Sequence, residues 1–414
     1  MKIKDWTILI YANGNNELEP EIWKSKLDTE QIGSNHNINV VMQIGRESRE
    51  FVKIIRPNCN IPFDNEVWTG VRRYYILQNK SILLKDLGKA NMADYKTLYD
   101  FIVWGIKSYK AKRYMLILSG HGAAFIATLS DLSQSKPYMM GVSEMCKIIN
   151  LIKIDTGINI DILVLDMCYM NLIEIIYELG KNNINTVKSM LTYVQDGPLI
   201  GMEYSKIISC ISKLDTENDV NVILKCIIEN LKLNLIAINI DHKKLKKIKY
   251  LVSELSYNYL KNNKNISSLM DFYSIKNSSY VNYKFVKELE DKISSLIICS
   301  KVMKFNNKKL INIVENKNYA KGGIDYFLPY YYKLSFSKNN FWTNILSNRR
   351  LNDNIEFKNI RPSQFTIALR GLKNIIWAVN PNLTENEIND IVKKVYDYKK
   401  WRDSFNDISK LIIN

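Results

Sequence analysis

The chain has 414 residues, 46% of them hydrophobic and 24% charged. That balance excludes a disordered chain, a collagen-like chain and a disulfide-dense miniprotein, and the length fits a large core with an accessory region. Lys and Arg number 58 against 42 Asp and Glu, a formal charge of +16. The lysines are scattered among Asn and Ile without a basic–aromatic motif, so no nucleic-acid partner is expected.

Residues 6–12 and 38–44 are short runs rich in β-branched and apolar side chains, predicted as strands with a helix between them over 19–31. The runs 51–56 and 67–77 also read as extended. From 92 to 110, Leu98, Phe101, Ile102, Gly105 and Ile106 recur at helical spacing and predict an amphipathic helix. Residues 114–119 then form an apolar strand of the kind buried on both faces. A looser stretch, 122–141, leads into a helix whose expected cap is Ser143. Residues 161–166 are a second buried strand, and Leu172, Ile175, Ile176 and Leu179 mark the face of the helix after it. A further strand is expected over 190–194. Strands separated by helices of this length predict an α/β fold with a mostly parallel sheet covered on both sides.

Beyond about residue 215 helical patterns dominate, interrupted by the apolar run 233–240 and by Gly322-Gly323-Ile324-Asp325-Tyr326-Phe327-Leu328-Pro329. The Asn/Lys-rich stretch 258–265 reads as a solvated loop. Near the end, Thr384 and Glu387 form a capping box ahead of Ile388, Ile391, Val392 and Val395. The chain therefore divides into an α/β region (1–215), a second region (216–350) and a helical extension (351–414).

Cys59, Cys146, Cys168, Cys210, Cys226 and Cys299 are widely spaced, with no CxxC pair. Neither a metal site nor a disulfide framework is expected. No apolar run approaches the ~18 residues of a membrane span. The apolar stretch after Lys2 and Lys4 ends at Asn13, too early for an export signal, so a cytoplasmic location is expected.

In an open α/β sheet, ligands bind at the carboxyl ends of strands. Two buried strands here end in reactive residues, one in Ser119-Gly120-His121-Gly122 and the other in Asp166-Met167-Cys168. The chain has three histidines, and this one stands between glycines, which let the backbone approach a substrate closely. A thiol between a strand and a helix meets the positive end of the helix dipole, which favours thiolate. His and Cys together are the minimal pair for nucleophilic acyl transfer.

Several stretches in order resemble the clostripain family of cysteine peptidases, in the clan that also holds caspases, legumains and gingipains. They are Trp6 to Leu18 with its Asn-rich turn, Leu87 to Asp94 running on to Leu98, Phe101 and Trp104, the His121-Gly122 and Asp166-Met167-Cys168 elements, and Gly323 to Pro329. The resemblance spans about 5–345 and leaves 350–414 unplaced. It implies a caspase-like three-layer α/β/α sandwich. It also implies an endopeptidase that cuts after Arg or Lys, with a protein or peptide substrate, acting as a monomer.

By that resemblance Cys168 is the nucleophile and His121 the general acid/base, and the N–H groups of Gly122 and Cys168 form the oxyanion hole. A basic P1 side chain needs a carboxylate in the S1 pocket. Asp166 matches the family's acid there, and Asp196 is a second S1 candidate on the loop after the next strand. The competing readings are a helix-capping or strand-terminating Asp166 and a turn Asp196. Ala123-Ala124-Phe125 departs from the family pattern after His-Gly and implies a reshaped rim. Self-processing between the two strands is not expected, since Lys136 precedes Pro137, and Lys147 and Lys153 fall in helical sequence. The residues require no cofactor; calcium and secretion enter through the family resemblance alone. A catalytically silent, peptide-binding relative is the alternative reading.

Overall fold

The computed structural model describes residues 3–60, 68–123, 127–135, 137–181, 184–214, 219–251, 283–301, 372–373, 375–377 and 379–399. Twelve strands are defined among them. They are β1 (Lys4–Gly14), β2 (Ile38–Arg46), β3 (Gly70–Leu77), β4 (Lys80–Gly88), β5 (Ala111–Ser119), β6 (Gly122–Ala123), β7 (Ala127–Asp131), β8 (Tyr138–Gly141), β9 (Ile160–Asp166), β10 (Val187–Tyr193), β11 (Leu235–Asn239) and β12 (Ile297–Lys301). The helices are α1 (Glu19–Glu30), α2 (Arg49–Ile55), α3 (Tyr95–Ser108), α4 (Val142–Thr156), α5 (Ile173–Gly180), α6 (Tyr204–Lys213), α7 (Val220–Leu231), α8 (Tyr283–Ser294) and α9 (Glu385–Lys399).

Nine strands form one sheet in the order β12-β11-β10-β9-β5-β1-β2-β3-β4. The five central strands, β10 to β2 in that order, are parallel, and antiparallel pairs close both edges. The central strands are buried along both faces, which is why they read as unbroken apolar runs. Alternate side chains separate two cores. Leu9, Tyr11, Leu116, Leu118, Leu163 and Leu165 pack under α3, α4 and α5. Ile8, Ile10, Met115, Ile117, Ile162 and Val164 pack under α1, α6 and α7. A mixed α/β sandwich with a parallel centre is therefore the architecture, as the alternation of runs predicts. β11 and β12, from beyond residue 215, extend this same sheet.

Three local expectations change. Residues 51–56 are not extended: Arg49–Ile55 is α2, capped by the Ser48 hydroxyl, which accepts from Phe51 N–H at 3.2 Å. Its β-branched composition resembles a strand, but Phe51, Val52 and Ile55 share one buried helical face. The looser stretch 122–141 contains a three-stranded antiparallel sheet, β6-β7-β8. α4 is capped by Gly141 rather than Ser143, with the Glu144 carboxylate accepting from Gly141 N–H at 3.0 Å.

The Thr384–Glu387 capping box is present: Glu387 Oε2 accepts from Thr384 N–H at 2.8 Å and Thr384 Oγ1 at 2.7 Å. α9 buries Ile388, Val392, Val395 and Tyr396 in a separate cluster with Phe51 and Ile55 of α2 and with Leu132, Leu372 and Ile376. Lys399 pairs with Glu47 across this contact. The Gly322–Pro329 motif, Lys136, Ala124, Phe125 and the 258–265 loop lie outside the described residues.

Candidate active site

The strand order reverses between β1 and β5: the chain passes from β1 to β2 on one side and later to β5 on the other. Such a switch point opens a crevice at the carboxyl ends of the strands. β9, β5 and β1 lie side by side there, in a register that aligns Ala12 with Ser119 and Ser119 with Asp166. The turns that follow these three strands carry Cys168, His121 and Glu17.

His121 and Cys168 line one cavity of about 60 Å³, together with Leu18, Glu21, Asp166, Tyr193 and the 197–201 loop. The two loops touch directly. A Cβ on Gly122 would lie 2.2 Å from the Cys168 carbonyl oxygen, so only glycine lets the His loop sit this close. Leu129 N–H donates to the His121 carbonyl at 2.8 Å. Together with the Gly122–Thr128 register, that makes Gly122–Thr128 a non-hydrogen-bonded pair, with the Gly122 N–H turned away from β7.

Cys168 is followed by Tyr169 at φ +61°, a left-handed conformation that costs an ordinary L-residue roughly 1 kcal/mol or more. Tyr169 N–H is held by the Gln195 carbonyl at 2.7 Å. The Gly197 N–H donates to Cys168 Sγ at 3.4 Å. The helix expected directly after the thiol starts only at Ile173. Burial accordingly pushes the Cys168 thiol up, helped by the nearby Asp196 and Asp166 carboxylates, while the Gly197 N–H pulls the other way. The surroundings thus favour the thiol form, and with the helix starting five residues later the dipole expected to favour thiolate is not at Cys168.

Asp166 is buried beneath the cavity. Its carboxylate accepts from Tyr193 OH at 2.6 Å, Tyr204 OH at 2.7 Å, Met202 N–H at 3.2 Å and Ser119 Oγ at 3.4 Å. Burial raises its carboxyl, and these four donors act against that rise. Asp196 is exposed on the loop after β10 and is not part of the cavity lining, although its charge reaches Cys168 and Tyr169. The structure thus brings His121, Gly122, Asp166 and Cys168 together and leaves Asp196 at the rim. The sequence reading missed Tyr193, Tyr204, Gly197 and Glu17; no local pattern marks them, because strand order alone gathers them. Lys147 and Lys153 lie within α4.

The described residues contain no group of three or more His, Cys, Asp or Glu arranged to hold a metal ion. Also among the described residues, no helix is long and apolar enough to cross a membrane.

A parallel-centred sheet with a His turn and a Cys turn meeting at its switch point defines an α/β/α sandwich of the cysteine-peptidase kind. Residues 29–345 match the clostripain family, and the chain belongs to that family of cysteine peptidases. Solved structures agree on the fold. An inactive zymogen C11 protease from Parabacteroides distasonis superposes with a TM-score of 0.57 at 15% identity, covering 83% of this chain and 99% of that one. A secreted C11 cysteine protease from Bacteroides thetaiotaomicron, bound to an irreversible peptide inhibitor, gives 0.52 at 12% identity, covering 72% and 85%. No curated protein matches the chain.

Proposed function

We propose that this protein is a cysteine endopeptidase that cleaves peptide bonds after Arg or Lys, with Cys168 as nucleophile and His121 as general acid/base. The observation that carries this reading is the contact of the two loops: the Gly122 backbone rests on the Cys168 carbonyl, and both side chains open into one cavity.

Since burial favours the thiol form of Cys168, His121 removes its proton as Sγ attacks the scissile carbonyl carbon. The carbonyl oxygen, now an oxyanion, lies toward the N–H groups of Gly122 and Cys168, typically the largest electrostatic contribution in acyl transfer. Collapse breaks the C–N bond, and the imidazolium returns the proton to the leaving amine. Water then attacks the thioester with His121 as base and releases the acid and the thiol.

Asp166 is the S1 carboxylate of this reading. A P1 cation reaching it would pair a charge that burial now penalises. Asp196, exposed at the entrance, contributes attraction rather than a pocket floor. The cavity is small, and the exposed Pro198, Leu199 and Ile200 form the outer wall past which a basic side chain would enter.

The test is cleavage of fluorogenic peptides with Arg, Lys or a neutral residue at P1. Cys168→Ala should abolish turnover and His121→Ala should reduce it to a small residual rate, both with the fold intact; full activity in either variant removes the assignment. The raised thiol favours a second reading, a silent relative that binds peptide without cutting. That reading predicts peptide binding by the wild type without labelling by a Lys-bearing acylating inhibitor.

A further inference from the structure

Three glutamates, Glu17, Glu19 and Glu21, stand at the end of the β1–α1 turn and the start of α1, all nearly inaccessible to solvent. Two are neutralised by arginine: Arg46 pairs with Glu19 at 2.6 Å, and Arg56 grips both oxygens of Glu21 at 2.6 and 2.8 Å. Among the described residues no arginine pairs directly with the Glu17 carboxylate. Arg56 hydrogen-bonds its backbone carbonyl, at 2.9 Å, and feels its charge from nearby. The Glu17 carboxylate instead meets His121 Nε2 through Oε1 at 2.5 Å, and its Oε2 is buried with no hydrogen-bond partner. A buried carboxylate is tolerated only when hydrogen bonds or an opposite charge compensate it, and here the imidazole supplies the hydrogen bond while the Arg56 charge acts from nearby.

The turn that carries Glu17 is held rigidly. Asn13 Nδ2 donates to the Ser130 carbonyl at 2.8 Å, Asn16 Nδ2 to the same carbonyl at 2.9 Å, and Asn15 Nδ2 to Asp131 Oδ2 at 2.7 Å. Leu132 N–H closes back onto the Asn15 carbonyl at 2.8 Å. Asn16 Oδ1 accepts from Leu18 N–H at 2.9 Å, which fixes the backbone on either side of Glu17. The Asn-rich turn thus ties Glu17 to β7, the strand that also receives the His121 carbonyl.

From this geometry we infer that Glu17 is the positioning residue for His121, making the site a Cys168–His121–Glu17 line across the ends of β9, β5 and β1. The inference rests on the dyad reading above. With Oε1 accepting, the ring proton stays on Nε2, and Nδ1 is left to take the thiol proton and return it to the leaving amine. Among the described residues nothing hydrogen-bonds Nδ1. Glu17 itself neither gains nor loses a proton; its charge favours the imidazolium formed in mid-reaction, as a buried acid does beside a catalytic histidine.

The test is Glu17→Gln, which keeps shape and an acceptor oxygen but removes the charge, assayed on a basic-P1 peptide. Rates are taken per site labelled by an irreversible peptide inhibitor, so unfolded protein does not count. The expectation is a fall in kcat of roughly 10–100-fold, below or at the lower end of the 10²–10⁴ that general acid–base catalysis contributes because His121 itself is kept, with KM unchanged to about twofold. The His121→Ala/Glu17→Gln double variant should be no slower than His121→Ala alone, since Glu17 acts through that ring. Wild-type kcat in Glu17→Gln, or a further loss in the double variant, overturns the inference while leaving the dyad standing. Loss of the basic-P1 preference at full kcat also overturns it, making Glu17 a substrate carboxylate. An active His121→Ala variant removes the dyad reading itself, whatever Glu17→Gln does.

Discussion

Gly122→Ala tests the contact on which the site depends. The new Cβ would lie 2.2 Å from the Cys168 carbonyl oxygen and 3.1 Å from both Met167 Cβ and Met170 Sδ. Neither backbone nor the buried methionines can turn aside as a flexible side-chain tip would. To reach ordinary contact, the His and Cys loops must separate by roughly 1 Å, a displacement that can cost about 100-fold in rate when reacting groups are held in place. Overpacking of this kind typically costs about 1–3 kcal/mol of stability. The assay is kcat/KM on a basic-P1 peptide alongside a thermal melt, with Gly157→Ala as control. Gly157 has φ +73° and no atom within 4 Å of its added Cβ, so that variant should lose only about 1 kcal/mol of stability and keep full activity. If Gly122→Ala retains more than about a third of wild-type kcat/KM, the loops are not held as the structure has them, and the argument from their contact fails.

Asp166→Asn should lower the preference for Arg and Lys over neutral P1 residues by at least tenfold. It should also destabilise the fold by about 1–3 kcal/mol, because an amide N–H₂ then faces the donors of Tyr193, Tyr204 or Met202. An unchanged preference would make Asp166 purely structural. Since burial and the two aspartates push the Cys168 thiol up, its alkylation by iodoacetamide in the absence of substrate should be slow at pH 7 and climb through the alkaline range. Asp196→Asn removes one of those charges and should speed the reaction at any given pH; a rate already at plateau below pH 7 would show a preformed thiolate. Finally, Ile376→Ala, at a fully buried position of the α2–α9 cluster, should cost about 2–5 kcal/mol in a denaturant melt. A loss under about 0.5 kcal/mol would mean that the C-terminal helix is not docked there.

Much of the architecture could be read along the chain because the strongest signals are local. The runs 115–118 and 162–165 are apolar throughout because β5 and β9 are covered on both faces. The α9 start was legible because a capping box is closed within four residues. Residues 51–56 misled because Phe-Val-Lys-Ile-Ile has strand composition, while its helical state is set by Ser48 and by α9, more than 300 residues away.

His121 and Cys168 could be picked out as the proposed reactive pair from residue type, flanking glycines and position after buried strands. That they share a cleft depends on β5 and β9 being neighbours, which a 40-residue separation in sequence leaves open. Glu17 carried no local mark at all. Among three glutamates within five residues, only tertiary packing gives arginines to two and the imidazole to the third. Side-chain chemistry and hydrophobic period are written residue by residue; charge pairing, burial of the thiol and the order of strands arise only when distant segments pack together.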